Sequence, residues 1–102
     1  MEQTESELKN LDELIELYLL RCDVEGKSPR TVLAYRETLA RFLRIAVTEG
    51  FPMVASAVRP EHLYTYLGRY SQHSFETRHR YFREVRCFFN WLSTLGYIDE
   101  NP

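Results

Sequence analysis

Residues 74–95, SFETRHRYFREVRCFFNWLSTL, closed by Gly96, decide how the rest of the chain is read. Ser74 offers a side-chain oxygen to a free amide of a first helical turn, and Glu76 suits the positive end of a helix. Gly96 is free to take the left-handed turn that ends one. Between these signals Tyr81, Phe82, Val85, Phe88, Phe89, Leu92 and Leu95 recur at steps of three and four, which places them on one wide apolar face. The first half of the stretch carries Arg78, His79, Arg80, Arg83 and Arg86 against the carboxylate of Glu84. One face is built for burial, and the start of the helix is built to meet something negative.

Working outward, the chain of 102 residues suits a single domain with one core. Its hydrophobic share of 44% is ordinary for a globular protein. No apolar run approaches the roughly 20 residues that span a membrane, and no signal peptide is recognisable. Cys22 and Cys87 stand far apart without metal-ligand spacing, which reads as reduced thiols and predicts a cytoplasmic protein. The net charge of −2 hides an asymmetry: residues 1–25 hold eight acidic and two basic side chains, and residues 26–102 hold eleven basic and seven acidic. Such segregation gives one molecule an acidic face and a basic face.

Four helices are predicted, near residues 8–25, 29–48, 60–71 and 75–95, with no strand, in an all-α bundle. Residues 1–7 are polar and predicted to fray. The first helix starts near Ser6 or Asn10, since both Thr4 with Glu7 and Asn10 with Glu13 fit a capping box. Leu8, Leu11, Leu14, Ile15, Tyr18, Leu19 and Cys22 form its apolar stripe. Ser28-Pro29 opens the second helix, whose buried face is Val32, Tyr35, Leu39, Phe42, Leu43, Ala46 and Val47; Arg30, Glu37, Arg41 and Arg44 project from the other side. Phe51 to Val58 is predicted as an apolar connection without an element of its own, folded over one end of the bundle. Pro60 opens the third helix. Phe42, Phe82, Val85, Phe89 and Leu92 are predicted to be nearly fully buried. Residues 8–96 form the helical domain, and residues 97–102 read as the start of a linker.

Catalytic chemistry is hard to find. There is no glycine-rich phosphate loop, and His62, His73 and His79 have no two-histidine metal spacing. Ser28 and Ser74 are better explained as caps than as nucleophiles. Tyr18, Tyr35 and Tyr81 lie on core stripes, and none of the tyrosines is expected beside an Arg/His group that would activate a phenol. Neither a cofactor, a metal nor a small-molecule substrate is implied.

The order of motifs is more telling than any one of them. The second helix reads Ser28-Pro29-x-Thr31-x3-Tyr35-x3-Leu39-x2-Phe42, and the third Arg59-Pro60-Glu61-His62-Leu63-x2-Tyr66-Leu67. The fourth reads Ser74-x2-Thr77-x3-Tyr81-Phe82-x2-Val85-Arg86-x-Phe88-Phe89-x-Trp91-Leu92, and then come Gly96-Tyr97-Ile98-x2-Asn101-Pro102. In this order the chain resembles the N-terminal core-binding domain of tyrosine recombinases, the phage integrase family, over residues 8–102. The resemblance implies a four-helix SAM-like orthogonal bundle that clamps duplex DNA, its second and fourth helices at the major groove, and that helps recombinase protomers assemble on the site. It also implies that the catalytic tyrosine and its Arg and His partners belong to a larger C-terminal domain, which these residues do not contain. Arg59 departs from the pattern, because the family often has a capping Thr there.

On this reading Arg30, Arg41, Arg80 and Arg83 neutralise phosphates, a sequence-blind task. Ser28, Thr31, Ser74 and Thr77, with the free amides of their helix starts, hold phosphate oxygens. Leu33, His79 and Arg80 are candidates to reach base edges. The alternative is a helical protein-interaction domain without DNA contact, whose acidic first helix docks on a basic partner and whose apolar loop from Phe51 to Val58 covers a neighbour. Clustering of the arginines on the second and fourth helices favours DNA, and scattering favours the alternative.

Overall fold

The computed structural model describes residues 10–99 and 101–102. Among them it is all-helical, with α1 over Leu11–Val24, α2 over Pro29–Glu49, α3 over Pro60–Gly68 and α4 over Phe75–Thr94. The expected cap at Thr4 or Ser6, the frayed residues 1–7 and Leu8 lie outside the described residues.

Each boundary has a local cause. Asn10 precedes α1, and its backbone N–H donates to Glu13 Oε1 at 3.2 Å, which is half of the capping box read from the sequence. Ser28 caps α2 by accepting from Thr31 N–H at 3.1 Å, and Pro29 takes the first helical position, where no amide is needed. Gly50, at φ 76°, ends α2 and lets Phe51 N–H turn back to Ala46 O at 2.8 Å. Arg59 precedes α3, and His62 supplies the missing cap: its Nδ1 accepts from Arg59 N–H at 2.8 Å. The departure at Arg59 is thus met by a residue three positions on, in the place where a capping box keeps Glu or Gln.

Helices α1, α2 and α4 pack around one core, with α3 closing it against α2 and α4. Phe42 meets Phe51, Tyr66 and Phe89 at ring separations of 6.3, 5.1 and 5.9 Å. Tyr18 meets Tyr35, Phe88 and Trp91, and the contact between Phe88 and Phe89 joins the two aromatic groups. The edge-to-face pairs among these, Phe42 with Tyr66 and Phe89, and Phe88 with Tyr18 and Phe89, contribute about 0.5–1.5 kcal/mol each beyond the area they bury. The chain stays packed past Gly96: Ile98 is buried, and the Asn101 side-chain amide donates to Asn90 Oδ1.

Several expectations need correction. Phe82 is only half-buried, and Val47 and Leu95 are 65% and 55% exposed. All three sit at the edge or end of an apolar stripe, where the neighbouring helix no longer covers it. Helix α3 stops at Gly68 and not near residue 71. Tight bonds from Arg69, Tyr70 and Ser71 to Tyr66, Leu67 and Gly68 finish the turn and bring Tyr70 against Tyr66 and Tyr81. The connection from Phe51 to Val58 does contain an element, a 3-10 turn over Ala55–Ala57. It also covers the end of the bundle: Phe51, Ala55 and Val58 are buried, and Leu11 N–H donates to Met53 O at 2.7 Å. One isolated antiparallel bridge, Asn10 with Val54, accompanies that contact, and there is no strand among the described residues.

Candidate nucleic-acid interface

Helix α2 carries Arg30, Arg36, Arg41 and Arg44, and α4 carries Arg78, Arg80, Arg83 and Arg86. Among the described residues, three arginines pair with exposed carboxylates: Arg21 with Glu25 at 3.0 Å, Arg36 with Glu16 at 3.4 Å and Arg69 with Glu49 at 3.0 Å. Exposed pairs of this kind add little stability. At 100° per residue, Arg30, Leu33, Arg41 and Arg44 fall within roughly 80° of arc on α2. Leu33 is 54% exposed in that basic strip, so it is an apolar side chain presented among cations.

Where α2 crosses α4, the structure brings two of the predicted phosphate ligands together. The Arg41 guanidinium lies over the Tyr81 ring at 4.4 Å from its centroid, and the Arg80 guanidinium over the same ring at 5.3 Å. Each such contact contributes about 0.5–2 kcal/mol according to how far it is desolvated. Beneath them is a pair that sequence reasoning missed. Thr38 is fully buried and Glu84 is 8% exposed, and the Thr38 hydroxyl donates to Glu84 Oε1. Glu84 Oε2 pairs with Arg80 Nε at 3.5 Å, and Arg41 Nη2 donates to Thr38 Oγ1 at 3.3 Å. Arg83, one turn beyond Arg80, is exposed and has no ion-pair partner among the described residues, and the same holds for Arg30.

Tyr81 has Arg41 and Arg80 over the face of its ring and His73 at 6.4 Å between centroids, contacts that pack the ring and do not engage the phenol oxygen. The linear spacing could not show this, since Arg41 arrives from another helix. Elsewhere burial pushes the phenols of Tyr18, Tyr35, Tyr66 and Tyr70 up, which keeps them protonated; at Tyr70 the nearby Arg41 opposes that shift.

The two helix starts are built alike. Ser28 Oγ accepts from Thr31 N–H and donates to Thr31 Oγ1 at 3.0 Å; Ser74 Oγ accepts from Thr77 N–H at 3.2 Å and donates to Thr77 Oγ1 at 3.0 Å. The serine protons are therefore engaged, and the Thr31 and Thr77 hydroxyls keep theirs for an outside acceptor. Each start lies ten residues from the Thr38–Glu84 crossing, about 15 Å along its helix. No hydrogen bond, ion pair or ring contact among the described residues joins Ser28, Arg30 or Thr31 to Ser74 or Thr77, so the predicted residues form separate stations and not one cluster.

His79, a predicted base-edge residue, is exposed and stacks on Phe75, which borders the apolar stripe two turns before Phe82 and was not among the predicted site residues. Phe75 is 69% exposed, and with Leu67, Arg78, His79 and Phe82 it lines a small cavity of about 180 Å³. Among the described residues no group of three His, Cys, Asp or Glu side chains is placed to hold a metal ion, and no helix is long and apolar enough to cross a membrane. No family model, no curated protein and no solved structure matches the chain.

Proposed function

We propose that this chain is a DNA-binding helical domain of the tyrosine recombinase kind, gripping duplex DNA without itself cutting or joining strands. The observation that carries the reading is the convergence of Arg41 from α2 and Arg80 from α4 over one ring, with Arg83 exposed one turn away. Two helices that each contribute cations to one face suit a polyanion better than a solvated surface does. The carboxylates Asp12, Glu13 and Glu16 of α1 line a different groove, against Arg36, Ala40 and Leu43 of α2. The partners on this reading are duplex DNA and other protomers bound to the same site.

Affinity of the isolated domain is expected to be weak, because the resemblance implies a clamp that closes with a second, tethered module. Losing such a tether gives up about 10²–10⁴ in effective affinity. Titration of the chain into labelled duplex DNA at a series of salt concentrations tests the reading. Binding that weakens steeply with salt supports it; absence of binding at low salt rejects it.

One observation favours the second reading, a protein-interaction domain. Leu17, Leu20 and Val24 are exposed along one side of acidic α1 at spacings of three and four. Under that reading, charge changes on α1 affect binding to a basic protein partner, and changes to Arg80 and Arg83 do not.

A further inference from the structure

The buried pair at the crossing calls for an explanation in terms of what it holds. A carboxylate stripped of most of its water must find hydrogen bonds and an opposite charge inside the protein. Replacing such a pair with apolar side chains is often neutral for stability, so packing alone does not account for it. Glu84 accepts from the Thr38 hydroxyl at one oxygen and pairs with Arg80 Nε at the other. Thr38 Oγ1, its own proton given to Glu84, accepts from Arg41 Nη2. One carboxylate thus orders two guanidinium groups, Arg80 directly and Arg41 through the hydroxyl, and Tyr81 lies beneath both.

Resting on the DNA-binding reading above, we propose that Thr38 and Glu84 are positioning residues that make Arg41 and Arg80 a single clasp for a phosphodiester group of the DNA backbone. The Arg80 side chain is still 45% exposed, so it is held at Nε while remaining open to a ligand. A guanidinium fixed in advance loses less freedom on capture than one that starts mobile. This assigns Glu84 an effect opposite in sign to its charge. A bare charge count makes removal of a carboxylate from a basic face strengthen polyanion binding. Positioning makes the same change weaken it. The amide of Glu84→Gln cannot accept from both partners: turned to Arg80, its NH₂ faces another donor and releases the guanidinium; turned to Thr38, it forces the hydroxyl to give up its present arrangement.

Glu84→Gln, Thr38→Val, Thr38→Ser and Arg80→Lys, each compared with the unaltered chain, test this by duplex titration and by the Arg Nε–Hε signals in nitrogen-correlated NMR. Glu84→Gln and Thr38→Val are expected to weaken duplex binding about 2- to 10-fold for each guanidinium released. They should also collapse the dispersed Arg80 or Arg41 Nε–Hε signal while the backbone spectrum away from the crossing stays in place. Thr38→Ser, which keeps the hydroxyl, should restore both. Arg80→Lys keeps the charge but loses the held Nε, and it should weaken binding without disturbing the buried pair, so it decides the matter if Glu84→Gln does not fold. Equal or tighter binding by Glu84→Gln, or by Arg80→Lys where that is the deciding variant, overturns the clasp while leaving the DNA reading intact. Failure of the unaltered chain to bind duplex at low salt overturns both.

Discussion

Phe75 and His79, one turn apart at the start of α4, stack face to face with ring centroids 5.8 Å apart and planes 10° from parallel. Neither ring is drawn into the core; the pair stands at the surface beside the cavity lined by Leu67, Arg78 and Phe82. On the proposed DNA-binding reading, an exposed flat apolar surface next to a helix start would meet a thymine methyl or an unstacked base. Phe75→Ala is therefore expected to change stability by no more than about 0.5 kcal/mol, as befits an exposed site. It should leave affinity for a random-sequence duplex pool close to that of the unaltered chain and flatten sequence preference at the position the ring touches. Selection and sequencing of the bound pool measures this, and an unchanged preference rejects a reading role for Phe75.

Core substitutions separate the residues that periodicity placed well from those it did not. Phe89 is fully buried against Phe42 and Phe88, whereas Phe82 is half-buried under Arg86. Phe89→Ala should cost about 3–5 kcal/mol, the range for deleting a fully buried aromatic ring. Phe82→Ala should cost clearly less, because part of the ring never leaves water. Urea denaturation of both variants checks the ranking, and an equal cost would contradict the burial described for Phe82.

Much of the fold was legible because its signals are local. Ser28-Pro29, Ser74, Gly50 and Gly96 fix helix ends through bonds within a few residues of themselves, and the structure has those bonds. The centres of the stripes, Phe42, Val85, Phe89 and Leu92, are fully buried as predicted. Their edges were not legible, since periodicity gives the direction of a face but not how far a neighbour covers it; Val47 and Leu95 show the difference. The residues of the candidate site were legible by type, and their arrangement was not. Arg41 and Arg80 are recognisable as cations, but their meeting over Tyr81 depends on the crossing of α2 and α4. Nothing in the linear sequence marks Thr38 and Glu84 for burial, because only tertiary packing buries them. The one available hint was that Glu84 is the carboxylate four residues after Arg80 in an otherwise basic run.

The two helix caps should act independently. Ser28→Ala and Ser74→Ala each remove the acceptor of one helix-start amide, and each is expected to cost about 1 kcal/mol. No bond among the described residues joins the two sites, so the double substitution should cost the sum within about 0.5 kcal/mol. Denaturation midpoints of the three variants measure this. A double variant much more stable than the sum would show that the starts of α2 and α4 share a partner.

The salt dependence of binding distinguishes cations that meet phosphates from cations already committed inside the protein. Arg83 is exposed and unpaired among the described residues, whereas Arg36 is turned to Glu16 on the acidic helix. Each phosphate neutralised contributes about −0.9 to the slope of log K against log salt. With Arg30, Arg41, Arg80 and Arg83 all engaged, the slope should be roughly −3 to −4; if the clasp holds a single phosphate between two arginines, it should lie toward the shallow end. Arg83→Ala should weaken binding to all sequences alike and reduce the steepness by about 1. Arg36→Ala should leave the slope unchanged, and Glu13→Gln with Glu16→Gln should do no more than strengthen binding slightly. A titration series in which the changes on α1 move the slope and Arg83→Ala does not would place the binding surface on the acidic helix and favour a protein partner.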